Sequence, residues 1–348
     1  MKNKITTIST KANGGIKSVV VNYEETDVFD NYEHVWLRSH EEGSSFFRVC
    51  IFIKCLFVLI LSLIKCDRLF HIHMAMKGSF FRKMILVKLI KLFKGKVILH
   101  LHGSEFEVFY DGRGKFIQSL IRSTFLKVDV VIVLSKSWKK FILRVSESIN
   151  VVVVPNFVKP IPKVESTTSN EGVVFIFLGA LGKRKGIYDL LPAFKQHISK
   201  HPTSKLIVCG DGELDKVKAL AKELDIQNSL EFPGWVNGAE KTALLNASDV
   251  VVLPSYNEGL PMVILEAMSL GKCVISTYVG GIPEAIKTNE NGLLIEAGNI
   301  PELEAALSFS CLEEERTRLG LAGLSSFEQL YSPNIIVPEI KNIYESLL

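Results

Sequence analysis

The sequence lacks several patterns that would assign it to other classes of protein. Its six cysteines form no C-x-x-C pair, and a reducing cytoplasm is the simplest compartment for them. The basic start, MKNKITTIST, has no apolar stretch behind it, so we expect no secretory signal. Residues 1–40 contain no G-x-G-x-x-G pattern, which argues against a dinucleotide oxidoreductase. No internal repeat or low-complexity tract appears.

The chain also lacks an uninterrupted apolar run long enough to cross a bilayer. Its most apolar stretch, from Val49 to Ile64, is broken by Lys54 and is shorter than the roughly 20 residues that a spanning helix needs. We therefore expect a buried helix of the first domain. The alternative is a shallow interfacial helix that works together with residues 82–96.

Length and charge indicate two unlike halves. A chain of 348 residues suits two domains of roughly 150 to 180 residues with a cleft between them. Residues 1–156 hold 24 Lys and Arg against 13 Asp and Glu, and the remainder holds 17 against 24, so the net charges are +11 and −7. Residues 82–96, RKMILVKLIKLFKGK, predict a basic amphipathic helix. We expect the first half to face an anionic membrane surface, although a basic helix can also be a solvated face.

Short apolar runs alternate with helical patterns in both halves. Examples are KVILHLHG, DVVIVLS, GVVFIFLG, SKLIVCGDG, DVVVLPS and GKCVISTYVGG. Strands that are apolar throughout are buried on both faces, so each half predicts a parallel, doubly wound sheet of the α/β class. We place the linker in residues 155–172, with domains at 1–160 and 170–330 and a closing helix at 331–348 that we expect to pack back across the linker. Ligands of such sheets bind beyond the carboxyl ends of the strands, here toward the cleft.

The stretch YNEGLPMVILEAMSLG, residues 256–271, predicts an anion site. Pro261 and Gly271 fit the start and the end of a helix, whose first N–H groups, at Gly259 and Leu260, point toward the preceding loop. Glu258 suits hydroxyls beside a phosphate, and Glu266, eight residues on, is expected on nearly the same helix face. Phosphate together with hydroxyls indicates a sugar phosphate or a nucleotide.

The turn FLGALGKRKG, residues 177–186, predicts a second phosphate contact. Lys183, Arg184 and Lys185 crowd a glycine-containing turn between a strand and a helix. Three cations beside a helix N-terminus would stabilise a diphosphate leaving group. A solvated basic turn is the alternative.

The first half supplies two weaker candidates. Gly14 and Gly15 lie between an opening strand and a helix, where backbone can approach a ligand, although a plain turn fits as well. The pairs His71/His73 and His100/His102 suggest a metal, but no carboxylate or cysteine support is evident, so we expect no metal site. His102, beside a glycine at a strand end, is the better candidate for a polar contact to substrate.

Taken together, these residues resemble a known family. The run ASDVVVLPSYNEGLPMVILEAMSLGKCVISTYVGGIPEAI, residues 247–286, is similar to the donor-binding signature of family 4 retaining glycosyltransferases, the group 1 glycosyl transferase domain of the GT-B fold. Glu258 and Glu266 form its E-x7-E pattern. The resemblance is strong over residues 172–300 and weaker in the first half, where it rests on the GG loop, HLHGSE, VLSKSW and VPNFV. It implies two Rossmann-like domains that face an interdomain cleft.

The resemblance also implies roles for particular residues. Glu266 would hold the nucleotide ribose, while Glu258 and the backbone at Gly259 and Leu260 would bind hydroxyls of the donor sugar. Lys185 corresponds to a diphosphate-binding lysine, Gly15 to a first-domain loop over the diphosphate, and His102 to a histidine near the transferred sugar. Gly179 is the glycine that ends a strand, and Pro261 is the proline that opens the helix. The family commonly has arginine after the strand-ending glycine, whereas this chain has Ala180, so we expect Arg184 to supply that charge.

The implied activity is transfer of a hexose from a nucleotide-diphosphate sugar, with retention of configuration, to a lipid-linked or oligosaccharide acceptor. Front-face attack is the default mechanism, because no side-chain nucleophile for a double displacement is evident. The chain has no D-x-D, so metal independence is expected, with no cofactor and no nucleic-acid partner. We expect a cytoplasmic protein, peripheral at the inner face of the membrane, that acts in cell-surface polysaccharide synthesis such as lipopolysaccharide or capsule. The alternatives are a nucleotide-sugar epimerase, which the E-x7-E does not support, and a catalytically weak scaffold protein, which Ala180 favours.

Overall fold

The chain divides into two compact units. The computed structural model describes residues 2–12, 14–65, 67–164 and 172–348. The first unit comprises Met1–Lys159 and Pro333–Leu348, and the second comprises Pro160–Ser332. Within the expected linker, residues 165–171 lie outside the described residues.

The first unit is built on a parallel sheet of six strands in the order β2-β1-β3-β4-β5-β6. The strands are β1 Lys4–Thr10, β2 Glu33–His40, β3 Leu69–Met74, β4 Lys96–Leu101, β5 Val130–Val133 and β6 Val151–Val153. The helices are α1 Gly15–Glu24, α2 Ser45–Ile64, α3 Gly78–Leu92, α4 Phe106–Asp111, α5 Lys115–Lys127 and α6 Lys136–Val145. The central strands are buried almost from end to end, as expected for a parallel sheet covered on both faces.

The second unit repeats this architecture with the strand order β12-β11-β10-β7-β8-β9, again all parallel. Its strands are β7 Val174–Leu178, β8 Lys205–Cys209, β9 Leu230–Gly234, β10 Val250–Val252, β11 Cys273–Thr277 and β12 Leu293–Ile295. Its helices are α7 Ile187–Ile198, α8 Leu214–Glu223, α9 Gly238–Ala247, α10 Met262–Ser269, α11 Ile282–Ala285, α12 Ile300–Phe309 and α13 Glu313–Leu330. The prediction of two doubly wound parallel sheets is confirmed.

The last helix, α14 Pro333–Glu345, belongs to the first unit. Its buried Tyr344 places a hydroxyl 2.8 Å from Nδ1 of His71 on β3, and its Lys341 pairs with Asp27 at 3.0 Å. The chain therefore returns to the first sheet after completing the second one.

The prediction of a buried helix at Val49–Ile64 is wrong. Helix α2 begins at Ser45, and only one stripe of it, at four-residue spacing, packs into the core (Ile51, Cys55, Leu59 and Leu63). Most of its other large apolar side chains are exposed (Phe46, Phe47, Val49, Ile53, Phe57, Ile60, Leu61 and Ile64). At 20 residues α2 is also long and apolar enough to cross a membrane by composition, and no other helix among the described residues is. The sequence pattern misled because an all-apolar helix shows no contrast between its two faces.

Helix α3 is only partly the basic amphipathic helix that the spacing predicts. It ends at Leu92, and Lys94 follows in the left-handed region with φ 58°. Its exposed surface mixes Lys88 with Ile85 and Leu92. One of its basic residues, Lys83, is buried instead of exposed, and burial lowers the pKa of its ammonium to about 7.

Candidate functional site

The basic turn after β7 folds against the loop after β10. Gly186 closes the turn in the left-handed region, at φ 75°, and a Cβ atom there would lie 2.0 Å from the carbonyl oxygen of Pro254. The N–H of Tyr256 donates to the carbonyl of Arg184 at 2.8 Å. These contacts fix the cationic turn beside the acidic loop, at the carboxyl edge of the second sheet.

Lys185 and Glu258 form the centre of this site. The ammonium of Lys185 lies 2.5 Å from Oε1 of Glu258, and the hydroxyl of Ser255 donates to the same oxygen at 2.8 Å. Glu258 is only 7% exposed, so its carboxylate depends on these partners for compensation. Sequence reasoning missed Ser255, although it directly precedes the quoted YNEGLP motif.

Arg184 approaches the same carboxylate from further away. Its guanidinium lies 3.8 Å from Oε1 of Glu258 and donates to the carbonyl of Asn257 at 3.0 Å. The Arg184 side chain is 43% exposed, which leaves it room to turn toward a bound anion. Ala180, where the family commonly has arginine, is exposed and carries no charge. Lys185 and Arg184 are therefore the two cations within 4 Å of Glu258 among the described residues.

Glu266 has a lysine of its own. It lies on α10, is 8% exposed, and accepts from the ammonium of Lys241 on α9 at 2.6 Å. The expectation that Glu258 and Glu266 share one helix face is wrong, because α10 begins only at Met262 and Glu258 lies in the loop before it. Pro261 caps the helix in an extended conformation instead of opening its first turn. Sequence reasoning missed Lys241, which no motif marks.

The loop that carries Glu258 is held by the segment after β11. Gly280 lies in the left-handed region with φ 57°, and a Cβ atom there would lie 1.8 Å from the carbonyl oxygen of Glu258. The hydroxyl of Thr277 donates to the carbonyl of Ser255 at 2.6 Å, and the N–H of Gly281 donates to that of Gly259 at 2.7 Å. Close backbone packing thus fixes the carboxylate.

The remaining backbone positions of the second-unit candidates lie near this turn. Leu260 and Pro261 are buried between Glu258 and α10. Gly179 follows β7 directly, and a Cβ atom there would stand 3.5 Å from the Lys185 side chain. The structure thus brings Gly179 and Lys185 together and places Leu260 and Pro261 next to Glu258 in the chain.

The site residues predicted in the first unit lie in two separate segments, one before α1 and one after β4. Gly15 is the first residue of α1, and Gly14 before it takes φ 132°, which only glycine adopts readily. A Cβ atom would meet nothing within 4 Å at either position, so the backbone there is open. His102 directly follows β4, and burial lowers the pKa of its imidazole to about 3.

His102 ends a stack of four neutral histidines, of which His71 and His73 lie on β3 and His100 lies on β4. Its Nε2 lies 2.9 Å from Nδ1 of His73, and Nε2 of His71 lies 3.2 Å from Nδ1 of His100. Burial lowers the pKa of each of these rings. Atoms of His71, His73 and His100 come within 4.8 Å of one another, but their rings are stacked in near-parallel planes. The group contains histidines alone, with no carboxylate or cysteine, and the absence of a metal here stays a prediction.

Comparisons with known proteins identify similar sequences and similar folds. Residues 158–322, which include Lys185, Glu258 and Glu266, match the family model described as glycosyl transferases group 1. Over 147 residues the chain is 32% identical to a D-inositol 3-phosphate glycosyltransferase of Corynebacterium jeikeium, and the match covers 40% of this chain and 35% of that protein. The chain thus spans about a third of that relative's length.

Two solved structures match nearly the whole chain. A sucrose-phosphate synthase from Thermosynechococcus elongatus superimposes with a TM-score of 0.82 at 17% identity, over 99% of both chains. HepE of Anabaena, in complex with UDP-glucose, superimposes with a TM-score of 0.78 at 18% identity, over 99% of this chain and 100% of that one. At these identities the likeness establishes the fold, and the GT-B architecture is confirmed.

Proposed function

Because residues 158–322 match the family model of glycosyl transferases group 1, we propose that this chain transfers a sugar from a nucleotide-diphosphate sugar to an acceptor hydroxyl. The observation that carries this proposal is the buried Glu258, held by Lys185 and Ser255 beside a cationic turn. The diphosphate of an anionic donor would bind the ammonium of Lys185 and so replace part of its interaction with the Glu258 carboxylate. Glu258 would then accept hydrogen bonds from the donor sugar.

The second carboxylate supports the same donor. Glu266 is buried and has one paired oxygen, since Lys241 contacts Oε1, and its other oxygen suits a ribose hydroxyl. Two carboxylates, each with its own lysine, bind hydroxyls without presenting net negative charge to the diphosphate. UDP-sugars are the first donors to test, because HepE is described in complex with UDP-glucose.

The transfer step follows from the same charges. As the bond between the anomeric carbon and the diphosphate oxygen breaks, negative charge grows on the diphosphate, and Lys185, Arg184 and the N-terminus of α7 stabilise it. The acceptor hydroxyl attacks from the face that the diphosphate leaves and passes its proton to the diphosphate oxygen, so configuration is retained. The cations of the basic turn supply the positive charge that a metal ion would otherwise supply, so the proposed reaction needs no metal ion.

A thermal-shift and transfer assay tests the proposal. The unaltered protein and Glu266→Gln are compared with UDP-, GDP-, TDP- and ADP-sugars, with and without a chelator. We expect one nucleotide to raise the melting temperature, the rise to be lost in Glu266→Gln, and chelation to change nothing. NMR of the product's anomeric carbon should show the donor's configuration. An inverted product would overturn the mechanism, and no shift with any donor would overturn the donor site.

A catalytically weak scaffold protein is the second candidate. Ala180 favours it, because this exposed position at the end of β7 brings no charge to the diphosphate. Binding of a donor without detectable transfer, tested with lipid-linked and oligosaccharide acceptors, would support the scaffold. Restoration of transfer by Ala180→Arg would support it further.

For the acceptor we propose a lipid-linked glycan at an anionic membrane surface, as in cell-surface polysaccharide synthesis. The support is the exposed apolar face of α2, on which Phe57 and Ile64 are 62% and 64% exposed. The opposite stripe of α2 packs into the core, so the helix lies along the unit and would enter the membrane sideways. The neighbouring α3 adds the exposed Leu92, which is 76% exposed.

Basic side chains accompany this apolar surface. Arg48, Lys54 and Lys65 are exposed on or beside α2, and Lys88 and Lys94 on or beside α3. Apolar side chains flanked by lysine and arginine are the composition of helices that lie in the interface of anionic bilayers. We therefore propose that the protein is peripheral at the cytoplasmic face of the membrane.

Co-sedimentation with vesicles tests the membrane proposal. The unaltered protein, the double variant Ile53→Glu/Phe57→Glu and the control Leu321→Glu are mixed with phosphatidylglycerol or phosphatidylcholine vesicles. Leu321 is an exposed apolar residue of the second unit. We expect stronger binding to the anionic vesicles, lost in the double variant and kept in the control. Equal absence of binding to both vesicles would overturn the proposal.

A further inference from the structure

The second unit brings together three metal-binding side chains that the transfer reaction does not use. Atoms of His197, His201 and Cys311 that could ligate a cation lie within 4.8 Å of one another. Helix α7 begins just after Lys185, and His197 lies near its other end, so the cluster is about 16 Å from the basic turn along the helix axis. It therefore lies toward the opposite edge of the sheet from the donor site.

The spacing along the chain favours joint ligation. His197 and His201 are four residues apart, and the N–H of His201 donates to the carbonyl of His197 at 3.0 Å, so the helical turn continues between them. Side chains at this spacing share one helix face, and a histidine pair of this kind binds zinc in known motifs. Cys311 comes from the turn between α12 and α13, and its Sγ lies 3.9 Å from Nε2 of His197.

Surrounding hydrogen bonds orient the ring of His197. The hydroxyl of Ser308 donates to Oε1 of Glu304 at 2.8 Å, so its oxygen is left to accept from Nδ1–H of His197 at 3.2 Å. The proton on Nδ1 leaves Nε2 with a lone pair, which accepts a hydrogen bond from the Ser204 hydroxyl at 3.0 Å, and a bound cation would replace that hydrogen bond. Histidines that ligate a metal are usually oriented in this way: the ring nitrogen that does not bind the metal donates a hydrogen bond, here to a hydroxyl that in turn donates to a carboxylate.

Access and chemistry also fit a cation. His201 and Cys311 are both partly exposed, so an ion can reach the cluster from solvent. Two imidazole nitrogens and one thiolate are ligands of borderline cations such as Zn²⁺ and do not suit Mg²⁺ or Ca²⁺. Cys311 would lose its thiol proton to solvent as the sulfur–metal bond forms.

We propose that His197, His201 and Cys311 bind one Zn²⁺ or a similar borderline divalent cation, with water in the fourth position. The ion would tie the end of α7 to the turn between α12 and α13. Its role would be to stabilise the second unit, and the diphosphate site would remain metal-independent.

Titration of the chelator-treated full-length protein with Co²⁺ tests the site. We expect one Co²⁺ per chain with a thiolate-to-cobalt absorption band, and Zn²⁺ should displace it and raise the melting temperature. Cys311→Ser should abolish the band, and His201→Ala should weaken binding by about 100-fold or more. Ser308→Ala, which removes only the outer partner, should weaken it by about 10-fold.

Cys50→Ser is the matched control, because Cys50 is an exposed thiol on α2. It should leave the band unchanged. Absence of a thiolate band, or a band that persists in Cys311→Ser, would overturn the proposal. Donor binding is measured separately on the same samples, so failure of the proposed transferase function would leave the cobalt result intact.

Discussion

The two units share one architecture but place their polar groups differently. Each is a parallel sheet of six strands. In the second unit, oppositely charged side chains pair at the loops beyond the strands, as Lys185 does with Glu258. In the first unit, the notable polar groups are histidines inside the sheet, kept neutral by burial, and the exposed apolar side chains lie on helices. The repeated fold thus supplies strand ends and covering helices in both units, and the second unit places paired charges at its strand ends whereas the first exposes apolar side chains on its helices.

The first prediction concerns the paired charges of the second unit. Replacing Lys185 by Met removes the cation 2.5 Å from Glu258 and leaves that buried carboxylate with Ser255 and the more distant Arg184. We expect kcat/KM for sugar transfer to fall by about 100- to 1000-fold, the usual effect of losing one group that stabilises developing negative charge. Steady-state kinetics with the donor found in the thermal-shift panel measure it.

Lys183→Met is the control for this prediction, because Lys183 is an exposed lysine of the same turn. It should change kcat/KM little. Equal losses in both variants would mean that the general charge of the turn matters, and that the specific pair with Glu258 does not.

The second prediction tests how rigidly the carboxylate is held. In Gly280→Ala the new methyl group would overlap the carbonyl of Glu258, at 1.8 Å, and the backbone is already in the left-handed region. We expect the loop to shift, donor affinity to fall about 10-fold or more, and stability to drop by about 1–3 kcal/mol. Donor titration and urea unfolding give the two quantities.

Gly234→Ala separates the two causes. Gly234 also lies in the left-handed region, with φ 85°, but a Cβ atom there meets nothing within 4 Å. It should lose about 1 kcal/mol of stability and keep its donor affinity. Unchanged donor affinity in Gly280→Ala would show that the Glu258 loop tolerates displacement.

The sequence predicted the sheets better than the site, for physical reasons. Central strands such as β4 and β7 are buried on both faces, so their apolar runs are visible in the sequence. The edge strand β2, EHVWLRSH, mixes polar and apolar residues and went unnoticed. Glu258 and Lys185 were found because a motif marks them. Lys241, the partner of Glu266, was missed, because pairing between α9 and α10 depends on how the two helices pack.

The last prediction sharpens the other side of the comparison, through pH. Burial lowers the pKa of His71 to about 3 from an ordinary value of 6.5, so between these pH values the unfolded chain binds a proton that the folded chain does not. Stability is therefore lost as pH falls through this window, by up to about 1.4 kcal/mol per pH unit for one histidine. His71→Gln removes this titration, so its stability should fall less steeply between pH 6.5 and 4.5 than that of the unaltered protein. Urea unfolding at several pH values measures both curves, and parallel curves would show that His71 is protonated equally in the folded and unfolded states.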